Sequence, residues 1–206
     1  MLDIYKPTAK ITGTGCSFKT SARERAIYCS LLKQASWDEK TQRAGFLINK
    51  QSPEKSVTIK FNVTEAAAFL EYLDRNRPLQ LFHKTSNQSL VITLGPYMSK
   101  AEPTKQLGHS FQVHKTVGNT KVSFAIGLNF IEARLLREFL IASIQEIFKY
   151  RINERDSYFA SQEKNKKPVS ESPKKQERPV PETEPEPESF NEPPLETEDE
   201  TNLDTP

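Results

Sequence analysis

Polar and apolar residues alternate from Val57 to Val63: Val57, Ile59, Phe61 and Val63 are separated by Thr58, Lys60 and Asn62. A period of two marks a strand with one buried face. The period then changes. Ala66, Phe69, Leu70 and Leu73 recur at i, i+3, i+4 and i+7, the apolar stripe of a helix. At the junction Asn62 stands three residues before Glu65, the spacing of a reciprocal helix N-cap. The same succession returns further on. Val122, Phe124 and Ile126 alternate, Asn129 precedes Glu132 by three, and Ala133, Leu136 and Leu140 continue as a helical stripe. Residues 57–73 (VTIKFNVTEAAAFLEYL) lie over residues 124–140 (FAIGLNFIEARLLREFL) without a gap, Asn62 on Asn129 and Glu65 on Glu132. Strand, cap and stripe agree in one register, which points to an internal duplication.

Further strand-like runs precede each copy, at 10–20, 25–34 and 43–50 in the first half and at 79–85, 89–95 and 109–117 in the second. The chain therefore reads as a duplicated ββββα unit of the α+β class, with repeats over 10–76 and 79–152, two antiparallel sheets and two helices. Alternation predicts that each sheet turns one face to the core and the other to solvent or ligand. The helices are expected at 63–76 and 129–152. The second has a single polar line, Arg134, Glu138, Gln145 and Lys149, amid a wide apolar surface. It is either a deeply buried central helix or one that also packs on its counterpart in another subunit. In the second case Leu135, Phe139, Ile141, Ile144 and Phe148 form the interface of a homo-oligomer.

Charge and proline divide the chain near residue 158. Residues 1–158 hold 23 Lys and Arg against 14 Asp and Glu, a net of +9. Residues 159–206 hold 6 against 13, a net of −7, and nine of the 14 prolines. The first part is expected to be one folded domain and the second a disordered tail, basic and then acidic. Beyond Arg178 the tail has no Lys or Arg and ten acidic residues, with Phe190 and Leu195 as apolar anchors. Such a tail can compete with phosphate for a basic face, dock partner proteins, or simply confer solubility. No run reaches the roughly 18 apolar residues of a membrane span. The start, MLDIYKPTAK, has no apolar signal core, so a cytoplasmic setting is expected. Cys16 and Cys29 are too few for a disulfide framework and read as reduced core thiols.

Enzyme chemistry is not expected. KITGTGCSF holds a lone GxG but neither a P-loop nor a GxGxxG fingerprint. His83, His109 and His114 with two cysteines match no zinc spacing, and no cofactor or metal is called for. Glu65 and Glu132 are explained as caps. What remains is basic residues interleaved with aromatics on strands: Lys10, Phe18, Lys19, Lys33, Trp37, Arg43, Lys60, Phe82, Lys84, His114 and Lys115. Aromatics stack on unpaired bases while Lys and Arg track phosphates, which is how single strands are held without sequence readout. Phe18, Phe46 and Phe111 also read as core, whereas Phe82 and Lys84 share a strand face opposite Leu81 and His83.

Three motifs resemble, in order, those of the Whirly family: the strand leading into NVTEAAAFL with Val63, Thr64 and Glu65; LFHK with Phe82 and His83; and GHSFQV from Gly108 to Val113. The resemblance covers about residues 55–150. It implies two sheets packed at an angle with helices between them, a tetramer joined through helices, and single-stranded DNA lying along sheet edges between subunits. The family's Lys-Gly-Lys-Ala-Ala segment is absent, Arg23-Glu24-Arg25-Ala26 being the nearest basic stretch. Without a transit segment, a bacterial or phage-type relative is expected, its acidic tail resembling those of replication single-strand-binding proteins and reaching replication partners. The expected function is single-stranded DNA binding in replication, repair or recombination. The alternatives are RNA binding or transcriptional regulation on the same fold, and an interaction scaffold without nucleic acid.

Overall fold

The computed structural model describes residues 1–165, and side chains as far as residue 162. In chain order its strands are β1 (Leu2–Lys6), β2 (Thr14–Ser21), β3 (Ala26–Lys33), β4 (Ser36–Asp38), β5 (Arg43–Gly45), β6 (Ser56–Phe61), β7 (Leu79–Lys84), β8 (Ser89–Met98), β9 (Gln106–Val117) and β10 (Thr120–Asn129). Helix α1 (Val63–Arg75) follows β6, and α2 (Phe130–Asn165) follows β10. Two four-stranded antiparallel meanders result, sheet 1 in the order β1-β2-β3-β6 and sheet 2 in the order β10-β9-β8-β7. Each half is thus a meander closed by a helix, the expected ββββα arrangement.

The two junctions from strand to helix are built alike. Asn62 Oδ1 accepts from the Glu65 N–H at 2.9 Å, and Glu65 Oε2 accepts from the Asn62 N–H at 2.9 Å. Asn129 and Glu132 repeat the box at 2.9 and 2.8 Å. An N-cap side chain of this kind contributes about 0.5–2 kcal/mol. Each capping glutamate is also held by the first strand of the opposite half. Glu65 Oε1 pairs with His83 Nε2 of β7 at 2.7 Å, and Glu132 takes the Lys6 ammonium of β1 on both oxygens at 2.5 and 2.6 Å. Arg137 of α2 reaches Asp74 of α1 at 2.6 Å, joining the helices.

The inward rows of the two sheets form one core with the helices. It contains Phe18, Ile27, Cys29 and Leu31 from sheet 1, Ile92, Leu94, Phe111 and Val113 from sheet 2, and Phe69, Tyr72, Leu136 and Leu140 from the helices. Phe69 stands edge-on to Phe61 and Phe111, with centroids 5.3 and 5.5 Å apart. Cys16 and Cys29 are buried free thiols with sulfurs 3.6 Å apart. Polar groups in the interior are paired. Buried Gln34 accepts from the Thr8 and Gly13 N–H groups and donates to the Thr8 and Ser36 carbonyls. His109 meets the Tyr72 hydroxyl at 2.9 Å, and burial lowers the imidazole pKa while it raises the phenol to about 12. Gly108 has φ of 155°, and a Cβ there would meet the Leu128 carbonyl at 2.0 Å, so the β9–β10 approach requires glycine.

Three expectations about elements change. The edge strand β1 lies at Leu2–Lys6, ahead of the expected first strand, because a five-residue strand carries too little alternation to stand out. The run at 43–50 is not a sheet strand: it divides between β5, which pairs only with β4, and a 3-10 helix at Leu47–Gln51. Helix α2 continues to Asn165, past the expected end at 152, although its residues beyond Lys149 are exposed. The apolar stripe ends there, but no proline interrupts the backbone before Pro168. The first residues of the expected tail, 159–165, therefore belong to α2, and the remainder from residue 166 lies outside the described residues.

Candidate nucleic-acid interface

With their apolar faces turned to the helices, both sheets present broad outer faces to solvent. Cross-strand pairing sets the rows on sheet 2. One row runs Phe82–Val91–His114–Ser123, its neighbours Lys84–Ser89–Thr116–Lys121 and Gln80–Thr93–Gln112–Ala125. Phe82 is 62% exposed, an unusual position for a phenylalanine on a pleated surface. His114 Nδ1 meets Ser123 Oγ at 2.8 Å, and Gln112 donates to Ser110 at 3.0 Å. None of the four strands contains an acidic residue. The surface is therefore one of hydroxyls, amides, imidazole and ammonium groups with the exposed ring of Phe82 among them, and its strands hold no carboxylate to repel an anion.

Sheet 1 is organised similarly. Lys19, Tyr28 and Lys60 form one outer row, and Ser17, Ser30 and Thr58 the next, where Ser30 and Thr58 bond at 3.0 Å. Asp3 is the one carboxylate in these strands. Beyond β1, an open recess of about 580 Å³ is lined by Tyr5, Leu32, Arg43, Phe46, Leu47 and Ile48. Leu47 and Ile48 are exposed, and Tyr5 packs on Phe46 with centroids 5.2 Å apart.

The residues singled out in the sequence divide among these places. Phe82, Lys84 and His114 gather on the outer face of sheet 2, and Lys19 and Lys60 on that of sheet 1. Arg43 borders the recess, Trp37 sits half-buried on β4, and Lys10 is exposed in the loop after β1. Three others require correction. Phe18 is 1% exposed, packed near Phe111 and Phe139, so it is core and cannot stack on a base. Lys33 and Lys115 end inward rows rather than outward ones. The Lys33 ammonium lies 5.3 Å from the Phe124 ring centroid, between the sheets. Lys115 is 8% exposed and donates to the carbonyls of Pro53 at 2.8 Å and Ser56 at 3.4 Å; burial lowers its pKa. Strand parity assigns both lysines correctly: Leu31 and Lys33, like Val113 and Lys115, are two apart and share a face. The sequence reading missed Tyr5, Tyr28 and Tyr97, of which Tyr97 lies exposed over Gly127. Each has the parity opposite to the buried row of its own strand, and that is the signal that finds them.

Helix α2 also divides. Phe139 and Ile144 are partly buried and pack against this chain's own core, three and four residues beyond Leu136 and Leu140 on the same stripe. Ile141 is half-buried, while Leu135 and Phe148 are exposed. The exposed apolar residues form two patches, Phe130, Ile131 and Leu135 at the start and Phe148, Ile152, Tyr158 and Phe159 further on.

Two four-stranded meanders around two helices define the Whirly fold, and the chain has it. The structure of WHY1 from Arabidopsis thaliana superposes with a TM-score of 0.52 at 14% identity, over 79% of this chain and 92% of that one. WHY3 from the same plant gives 0.51 at 14% identity, over 80% and 94%. The plant transcriptional regulator PBF-2 gives 0.52 at 12% identity, over 75% and 85%. These three are plant proteins, and no bacterial or phage relative is among them. No known family's sequence profile matches the chain, and no curated protein matches it.

Lys115 separates a structural cation from a surface one. Lys115→Met is expected to lower folding stability by about 1–3 kcal/mol in urea melts, because two carbonyls lose a charged donor. Lys84→Met, on the open face, is expected to leave stability unchanged.

Proposed function

We propose that the protein binds single-stranded nucleic acid, DNA in the first instance, across the outer faces of its sheets and with little sequence specificity. One observation carries this reading: Phe82 stands bare on a sheet face whose strands hold no acidic residue and which also carries Lys84, His114 and Lys121. A flat, open, cationic surface suits a flexible strand whose bases are free to stack, and it is too shallow to read base edges in a duplex. The net +9 of residues 1–158 supplies the long-range attraction. Replication, repair or recombination is the setting we propose for such tolerance. The description of PBF-2 as a transcriptional regulator supports a second reading, regulation of transcription through the same face.

Fluorescence anisotropy across a salt series tests this with labelled oligo-dT, matched RNA and duplex DNA. The single strand is expected to bind most tightly, with a log–log salt slope of about −0.7 for each phosphate engaged. Phe82→Ala is expected to weaken that binding by about 1–3 kcal/mol without loss of stability. Equal affinity for duplex contradicts the proposal, and tighter binding of RNA moves it to RNA.

We further propose that the exposed apolar patches of α2 join copies of the chain, as a tetramer in the family's manner. Sedimentation at micromolar concentration is expected to give a mass above the 23.5 kDa monomer, and Leu135→Glu to reduce it. A monomeric wild-type mass contradicts this part.

A further inference from the structure

The turn between β2 and β3 sets a carboxylate on an otherwise cationic row. Lys19, Tyr28 and Lys60 are cross-strand neighbours on the outer face of sheet 1, and the Lys60 ammonium lies 5.8 Å from the Tyr28 ring centroid. Glu24 stands in the tight turn that follows Ser21, where Arg25 adopts φ of 52° and its N–H closes on the Ala22 carbonyl at 3.1 Å. Glu24 Oε2 accepts from the Tyr28 hydroxyl and, at 3.3 Å, from the Lys60 ammonium. These bonds hold the Glu24 carboxyl below its ordinary range and raise the Lys60 ammonium above its own. Arg23 adds to the positive surroundings, while Arg25 is engaged by Glu154 of α2 at 2.9 Å.

As a stabilising device the arrangement is weak. The Lys60 and Glu24 side chains are 54% and 51% exposed, and ion pairs so placed contribute little to folding. The core beneath this row is complete without it, since Phe18, Cys29, Ile59 and Phe61 fill the inner side of the same strands. What the arrangement does possess is the coordination of an oxyanion: one negative oxygen receiving a phenol O–H and an ammonium N–H on a sheet surface. A backbone phosphate offers the same acceptor.

We infer that the Lys19–Tyr28–Lys60 row is a subsite for one nucleotide step of a single strand, and that Glu24 is its resident competitor, holding the phosphate position in the free protein and leaving it when the strand arrives. The inference rests on the nucleic-acid reading of the preceding subsection and adds to it a second contact surface, on sheet 1, with a gate. With Glu24 displaced, Lys60 and the Tyr28 hydroxyl receive a phosphate, Lys19 stands on the far side of the ring for the next, and the ring itself is free to stack on a base. Exchange of one oxyanion for another keeps the subsite weak at rest. It also raises the threshold for chance anions, because an isolated anion must displace a tethered one, whereas a strand already held on sheet 2 delivers its phosphate at high local concentration.

The test compares full-length wild type with Glu24→Gln, Glu71→Gln and the double variant Glu24→Gln/Lys60→Gln, titrated with labelled oligo-dT over a tenfold salt range. Glu71 is an exposed carboxylate on α1 and matches the change of charge. Glu24→Gln is expected to bind several-fold more tightly at low salt, with a slope steeper by about 0.7 and a gain that shrinks about fivefold over the tenfold range. Glu71→Gln is expected to show neither change, and the double variant to lose the gain. Tyr28→Ala is expected to weaken binding in the wild-type and Glu24→Gln backgrounds alike. A Glu24→Gln variant no different from wild type or from Glu71→Gln overturns the inference, as does a gain that survives loss of Lys60. If wild type binds and Phe82→Ala weakens it while Glu24→Gln is silent, only the Glu24 gate fails. If wild type does not bind at low salt, the gate and the nucleic-acid reading fail together.

Discussion

Each sheet has one apolar face, and both faces must be buried against the same pair of helices. The rest of the structure depends on that constraint. It places Phe69, Tyr72, Leu136 and Leu140 between the sheets, and it leaves both outer faces without a covering layer. A four-stranded meander has no second apolar face to hide, so the polar rows of Ser, Thr, Gln and Lys remain in water. An open polar surface is thus the by-product of how the core closes, whereas its scarcity of carboxylates and the aromatic and cationic residues that stand on it are the features needing a functional account.

Two glutamates fix how the halves meet. Each closes a helix N-terminus and, with its remaining capacity, binds a base on the first strand of the other half: Glu65 to His83, Glu132 to Lys6. The acceptors sit at helix starts, where negative charge is favoured. Because β7 carries both His83 and, one residue away on the opposite side, Phe82, the contact that docks the strand also aims the exposed ring. Sheet 1 has its own version of an outward aromatic in Tyr28, which differs in being engaged by a neighbouring carboxylate.

Much of this is legible in the chain. The duplication, both capping boxes and the outward placement of Phe82 and Lys84 follow from periodicity and spacing alone, because strand parity and helix caps are local rules. The short edge strand β1 is not legible, since five residues give too few alternations and its partner β2 supplies the reason it is a strand. Nor is the end of α2, which the backbone sets after the apolar pattern has stopped. Lys33 and Lys115 show a different limit. Both lie on apolar rows by parity, but their charge suggests surface, and only the packed structure shows an aromatic ring and two carbonyls waiting for them at the sheet ends. Tyr28 was legible by the same parity and overlooked, because a tyrosine between apolar neighbours reads as core until its own face is traced.

The central claim is that a single strand lies on the outer sheet faces. Photo-cross-linking of the full-length protein to an iododeoxyuridine oligomer, mapped by mass spectrometry of the peptides, tests it most directly. Adducts are expected on Phe82, on His114 and on Tyr28. Adducts confined to α2 or to residues beyond 165, with none on the strands, would contradict it.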